Sequence, residues 1–308
     1  MLSRALKRSS VLVSGALLAA ALTAAGSPAQ AASPTTGKYV ALGDSYAAGA
    51  GVPHSSAGLC LRSDHNYGHL VAAALGSNSY TDVTCAAAKV EAMTEPQYDA
   101  FIKVNDPQLN AVTPDTSLIT LGIGGNDLGT SDLGVGDVIA TCVAGAVVNP
   151  FGTPCKDHYA DGHWSWSQWA WVWGEDTLAD RIDAAEPQLA AALQKIHAKA
   201  PNAKVLLVGY PSVLPENEWD CAGRQPVTVG DVAYLRGVLN RLNTMLATTA
   251  KANNATYVDT QTPTRGHDAC SDDRWIEGAL PGSPAVPFHP NATGEQVMAT
   301  AVLHALGR

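Results

Sequence analysis

The sequence predicts an α/β fold: a three-layer α/β/α sandwich around a central parallel sheet. Two observations lead there. Short apolar runs alternate with longer segments of helical spacing along most of the chain, which is the pattern of a parallel sheet covered on both faces. Each of the first and third runs ends in a glycine-rich turn, "GDSYAAGAG" and "GGND". In such folds ligands bind beyond the carboxyl ends of the strands, so these turns are where chemistry belongs.

The elements follow in order. Lys38–Leu42 is apolar, stops at a Gly-Asp turn and reads as a buried strand. In "NYGHLVAAALG", Tyr67, Leu70, Val71, Ala74 and Leu75 share a helical face, and Gly76 is a stop. Ser79–Val83 is a weaker strand. Ser117–Asp127, "SLITLGIGGND", is a strand running into its turn. Thr177–Ala200 is a long helix with Leu178, Ile182, Ala185, Leu189, Ala192 and Ile196 on one face. Lys204–Val208 is a strand ended by Gly209-Tyr210-Pro211. Val232–Ala252 is a helix and Thr256–Asp259 the last strand. Thr293–Leu306 is the final helix, its start marked by a capping box of Thr293 and Gln296.

Residues 1–31 are expected to lie outside this domain. Arg4, Lys7 and Arg8 precede an apolar stretch from Val11 to Ala25, and Ala29-Gln30-Ala31 is a small-x-small cleavage signal. The stretch is short for a membrane span, so a secretory signal peptide and a secreted, extracellular product are expected. Of 308 residues, 277 remain after removal of these 31, which suits a single domain over 32–308. The removed segment carries three basic and no acidic residues, so the net charge moves from −9 to −12. A surface this acidic repels nucleic acid, and no basic patch offsets it. Nothing in the sequence suggests more than a monomer.

The six cysteines, Cys60, Cys85, Cys142, Cys155, Cys221 and Cys270, form no CxxC pair. An even count in an exported chain points to three disulfides rather than a zinc or redox site. Pairing neighbours in order is the simplest of the possible connectivities.

Ser45 lies inside the first turn. A serine hydroxyl needs a base to take its proton and donors to hold the resulting oxyanion. Among nine histidines, His289 stands out, in a loop stiffened by Pro287 and Pro290 before the final helix. His267 is the second choice. Asn126, after Gly124 and Gly125, is placed to offer its amide as an oxyanion donor. By itself, an Asn-Asp pair in this position also fits an ordinary turn.

Together, "GDSY" (Gly43–Tyr46), "GGND" (Gly124–Asp127) and "FHPN" (Phe288–Asn291) resemble the three main blocks of the SGNH, or GDSL, hydrolases. The likeness spans nearly the whole mature chain. The cysteine contexts "LCLRS", "DVTC" and "GHDAC" add a likeness to the exported, three-disulfide actinobacterial lipases and esterases of that family. The resemblance implies a flavodoxin-like sandwich, a Ser45 nucleophile and a His289 acid/base. It implies oxyanion donors at Asn126, the backbone N–H of Ser45, and a residue after Cys85 where the family has glycine. That residue is assigned here to Ala86. The family also carries an aspartate three residues before its histidine. Val286 stands there, so the Val286 carbonyl is expected to orient the imidazole, with a distant Asp268 or Asp272 as the competing arrangement. No metal or organic cofactor is implied. The G-x-S-x-G elbow of α/β-hydrolases does not fit, because residue 47 is alanine.

The expected activity is hydrolysis of fatty-acyl esters. A carbohydrate esterase removing acetyl or feruloyl groups from polysaccharide is the runner-up, and a non-catalytic glycan- or lipid-binding module is a third reading. The tryptophan-rich segment bears on that third reading. Trp164, Trp166, Trp169, Trp171 and Trp173 sit in an insertion at about 156–176, as a local core or as an exposed patch meeting a lipid surface.

Overall fold

In the computed structural model, described over residues 37–99, 101–160, 163–165, 169–172 and 177–308, five strands form one parallel sheet. They are β1 (Lys38–Gly43), β2 (Tyr80–Asp82), β3 (Thr116–Gly122), β4 (Lys204–Val208) and β5 (Thr256–Val258), in the spatial order β5-β4-β3-β1-β2. Seven helices accompany them among the described residues: α1 (Ser45–Ala48), α2 (Tyr67–Leu75), α3 (Val135–Val148), α4 (Pro154–Tyr159), α5 (Thr177–Lys199), α6 (Val229–Ala252) and α7 (Ala292–Ala305).

The strands sort their side chains to two cores by the period of two. Val40, Leu42, Ile119, Leu121, Val205 and Leu207 face one side, where they pack with Leu189 and Leu193 of α5 and Leu242 and Leu246 of α6. Tyr39, Ala41, Leu118, Leu206 and Val208 face the other, against Val71 and Leu75 of α2 and Met298 and Val302 of α7. These are the three expected layers. Both faces of the sheet are covered, which is why the strands read as continuous apolar runs.

Boundaries differ from expectation where a cap decides them. α6 starts at Val229, because the Thr228 hydroxyl accepts from the Asp231 N–H. α7 starts at Ala292, and its cap is Asn291 rather than Thr293. The Asn291 side chain accepts from the N–H groups of Thr293 and Gly294. α3 and α4 were not anticipated. The α3 segment is rich in glycine and valine, poor helix formers in isolation, and is held by tertiary packing and by a disulfide to α4.

The disulfides join Cys60–Cys85, Cys142–Cys155 and Cys221–Cys270, neighbours in order. Residues 1–31, expected to be a signal peptide, lie outside the described part. So do the side chains of Trp164, Trp166, Trp171 and Trp173. Trp169 is 75 % exposed, at the turn of a small hairpin pairing His163–Ser165 with Ala170–Val172. No helix among the described residues is long and apolar enough to cross a membrane.

Candidate active site

The register of the sheet brings two turns together. β1 and β3 run in parallel with Gly43 beside Gly122, and the Asp44 N–H donates to the Gly122 carbonyl at 2.9 Å. The chains leaving these strands therefore start side by side, one carrying Ser45 and the other Asn126. Buried Gln108 clamps Gly43 from both sides, its Oε1 accepting from the Gly43 N–H at 2.7 Å and its Nε2 donating to the Gly43 carbonyl at 2.9 Å.

Ser45 opens α1, a single turn capped by Asp44. The Asp44 carboxylate accepts from the Tyr46 N–H at 2.9 Å and from the Tyr210 hydroxyl. Tyr210 in turn accepts from the Gly125 N–H at 2.7 Å. One carboxylate thus links the serine turn to the Gly124-Gly125 turn through a tyrosine. Burial pushes the Asp44 carboxyl up to about 7, against the hydrogen bonds from Tyr210, Tyr46 and Ala47 that favour its charged form.

His289 reaches this turn from 244 residues away. Its Nε2 lies 2.7 Å from Ser45 Oγ, and both residues are only 8 % exposed. Its Nδ1 lies 2.8 Å from the Pro287 carbonyl. A carbonyl can only accept, so Nδ1 carries the proton and Nε2 presents its lone pair to the serine hydroxyl. Burial lowers the His289 pKa to about 4, with the Pro287 hydrogen bond opposing in part, so the ring is neutral at ordinary pH.

The orienting oxygen is therefore Pro287's and not Val286's. The Val286 carbonyl instead accepts from the His289 backbone N–H at 3.1 Å, closing a tight turn. Phe288 inside this turn takes φ 62°, a left-handed conformation unusual for a bulky residue. The turn is pinned from outside. Val286 N–H donates to the Ala50 carbonyl, Phe288 N–H to Glu277, and the Tyr46 hydroxyl to the Phe288 carbonyl at 2.6 Å. The Tyr46 ring also lies against the imidazole, centroids 4.5 Å apart. The distant aspartates serve elsewhere: Asp268 caps the Cys270 N–H, and Asp272 pairs with Arg224. His267 stacks on Trp275.

Asn126 is buried beside the dyad and held at both ends of its amide. Oδ1 accepts from the Val135 N–H at 3.2 Å and Nδ2 donates to the Ala88 carbonyl at 3.0 Å. An amide nitrogen has two hydrogens, so one is left for another acceptor. Gly134 makes this possible. It sits at φ 57°, and a Cβ there would come within 2.3 Å of Asn126 Oδ1.

The Ala86 assignment needs correction. Its N–H donates to the Cys60 carbonyl at 2.9 Å, beside the Cys60–Cys85 bridge, so it is not available to an oxyanion. The next residue, Ala87, has φ 60°, the conformation glycine adopts without penalty, and it lines the same cavity as Ser45, Asn126 and His289. By its backbone conformation, Ala87, two residues after the cysteine, suits a glycine position better than Ala86 does. The positive φ that marks it is invisible in "CAAAK".

Residues 41–297 match the family model described as GDSL-like Lipase/Acylhydrolase. The chain belongs to the GDSL-like lipase/acylhydrolase family. Among its relatives, Lipase 2 of Streptomyces coelicolor is 41 % identical over 291 residues, covering 92 % of this chain and 90 % of the relative. Two solved structures share the fold at length. The phospholipase A1 of Streptomyces albidoflavus has a TM-score of 0.64 and 27 % identity, covering 88 % of this chain and 99 % of that one. The extracellular lipase of Streptomyces rimosus has a TM-score of 0.63 and 25 % identity, with the same coverage. As a member of the GDSL family, the chain is a carboxylic-ester hydrolase.

Proposed function

We propose that this GDSL hydrolase is an exported lipase or esterase that cleaves fatty-acyl esters through an acyl-enzyme on Ser45. The reading rests chiefly on one observation: Ser45 Oγ lies 2.7 Å from His289 Nε2, on a ring whose other nitrogen is committed to the Pro287 carbonyl. In the first half-reaction, Ser45 Oγ attacks the ester carbonyl carbon while His289 Nε2 takes the hydroxyl proton. The oxyanion is held by the N–H groups of Ser45 and Ala87 and by the second amide hydrogen of Asn126. When the tetrahedral centre collapses, the C–O bond to the alcohol breaks and the alcohol leaves with the proton from His289. Water then attacks the acyl-enzyme, giving its proton to His289. The carboxylic acid departs as Ser45 recovers that proton.

Export is part of the proposal. The three disulfides support it, since such bridges persist in oxidising compartments, and so does similarity to a lipase described as extracellular. Hydrolysis of p-nitrophenyl esters from acetyl to palmitoyl tests the reaction. Ser45→Ala and His289→Ala are each expected to lose roughly 10⁴-fold or more in kcat, and the double variant no more than either alone, because the two act as a unit. Activity surviving in Ser45→Ala would remove Ser45 as nucleophile. A strong acetyl preference would favour the carbohydrate-esterase reading.

A further inference from the structure

Two cavities adjoin through Val135, Ile139 and Phe288, and one of them holds Ser45 and His289 in its wall. The first opens over the dyad and has a mixed lining, with Leu59, Leu61, Val104 and Leu133 beside Lys89, Glu91, Asp99 and Asp132, so it presents charge as well as hydrocarbon. The second lies behind Tyr46, between α3, α6 and the segment 213–227, and its volume is about 170 Å³. Val138, Val143, Leu214, Val227, Leu235 and Leu239 form much of its wall. Several of these aliphatic side chains are only half-buried, so the space between them is not filled by the core. Tyr46 and Tyr210 are its hydroxyl-bearing lining residues, and both hydroxyls are already engaged, with the Phe288 carbonyl and the Asp44 carboxylate. The wall therefore offers a ligand little besides hydrocarbon. Val135, Ile139 and Phe288 line both cavities and form the partition between them.

We propose that this second cavity receives the acyl chain of the ester, which passes the Val135–Ile139–Phe288 partition while the alcohol portion stays in the charged cavity. The assignment rests on the ester-hydrolase reading above and adds the substrate's orientation and length. The physical reason is the difference in lining: no charged side chain lines the second cavity, so an alkyl chain gains there by leaving water, and a polar head group would lose its hydration without compensation. Size sets the length. An apolar cavity of about 150 Å³ holds one benzene, roughly six carbons. With the carbonyl carbon and the carbons needed to reach the partition, the fitting chain is about eight to ten carbons.

The test is the ratio of kcat/KM for p-nitrophenyl decanoate to that for p-nitrophenyl acetate, in wild type, Leu239→Trp and Leu239→Ala, with octanoate and palmitate added for wild type. Each methylene buried is worth at most about fourfold. The wild-type profile is expected to climb from acetate to an optimum at octanoate or decanoate and fall at palmitate. Leu239→Trp, which fills the cavity, is expected to lower the decanoate-to-acetate ratio at least tenfold. Leu239→Ala, which enlarges it, moves the optimum to longer chains. If Leu239→Trp does not fold, the alanine variant and the wild-type profile decide. Ratios within twofold of wild type in the variants, with Ser45-dependent hydrolysis intact, would overturn the cavity assignment alone. A wild type that favours acetate tenfold overturns it too. A wild type that cleaves none of these esters would overturn the enzyme reading and this inference with it.

Discussion

At the scale of single residues, the site is set by what each polar atom has left after its structural bonds are made. His289 spends Nδ1 on the Pro287 carbonyl and keeps Nε2 for Ser45. Because burial holds its pKa near 4, the imidazole is already neutral well below ordinary histidine titration. In kcat/KM against pH, the acid limb is therefore expected near 4, with a plateau above it. A limb near 6.5 would mean that the ring is more hydrated than its surroundings imply. The same accounting separates Ala86 from Ala87. Holding alanine at φ 60° costs about 1 kcal/mol or more, which glycine does not incur. Ala87→Gly is expected to keep activity and to leave thermal stability equal or higher by up to about 1 kcal/mol, since added unfolded-state freedom offsets part of the relief. Ala86→Gly has no such strain to relieve and is expected to lower the melting temperature.

At the scale of elements, the histidine turn is positioned by the start of α7. Asn291 caps that helix through Oδ1, while its Nδ2 donates to the Arg274 carbonyl at 2.8 Å and to Glu277 Oε1 at 3.2 Å. Glu277 in turn exchanges backbone bonds with His289 and Phe288. The cap thus joins the helix, the 274–277 segment and the His289 loop at one side chain. Asn291→Ala is expected to cost about 1 kcal/mol of cap stability, or up to about 2. It is also expected to lower kcat more than KM changes, because the loop that aims His289 loosens. Chemical denaturation and steady-state kinetics on the same preparation would check both. A loss of stability with kcat unchanged would confine Asn291 to capping.

At the scale of the molecule, buried carboxyls and the buried histidine give stability opposite dependences on pH. Asp44, pushed up to about 7, keeps its proton in the folded chain where the unfolded chain has lost it. Its contribution is present below about pH 4 and is lost as pH rises through 7. Burial raises Asp127 to about 6, and it acts in the same direction. His289 is lowered to about 4, so the unfolded chain takes up a proton first as pH falls. Its contribution is present above about 6.5 and is lost on the way down to 4. Between these limits the terms oppose. Asp44→Asn removes one of them, so acidification from pH 6.5 to 4.5 is expected to lower the urea midpoint more, or raise it less, in the variant than in wild type. Parallel curves for the two proteins would show that Asp44 does not titrate in this range.

Much of this molecule was determined by local pattern. Continuous apolar runs and helical faces are written in consecutive residues, so all five strands and most helices were legible with their order. That Ser45, His289 and Asn126 come together was legible because short motifs carry them. What failed locally failed for one reason. α3 is held by packing rather than by its glycine- and valine-rich sequence, and the cap of α7 was fixed by which side chain turned inward. Ala87 rather than Ala86, and Pro287 rather than Val286, follow from backbone torsions and from carbonyls and N–H groups already taken by distant partners. Tyr210, Gln108 and Gly134 act on the site from positions that no motif marks. Such choices rest on hydrogen bonds between residues tens to hundreds apart, and only the tertiary structure decides which of two adjacent peptide groups is left to do chemistry.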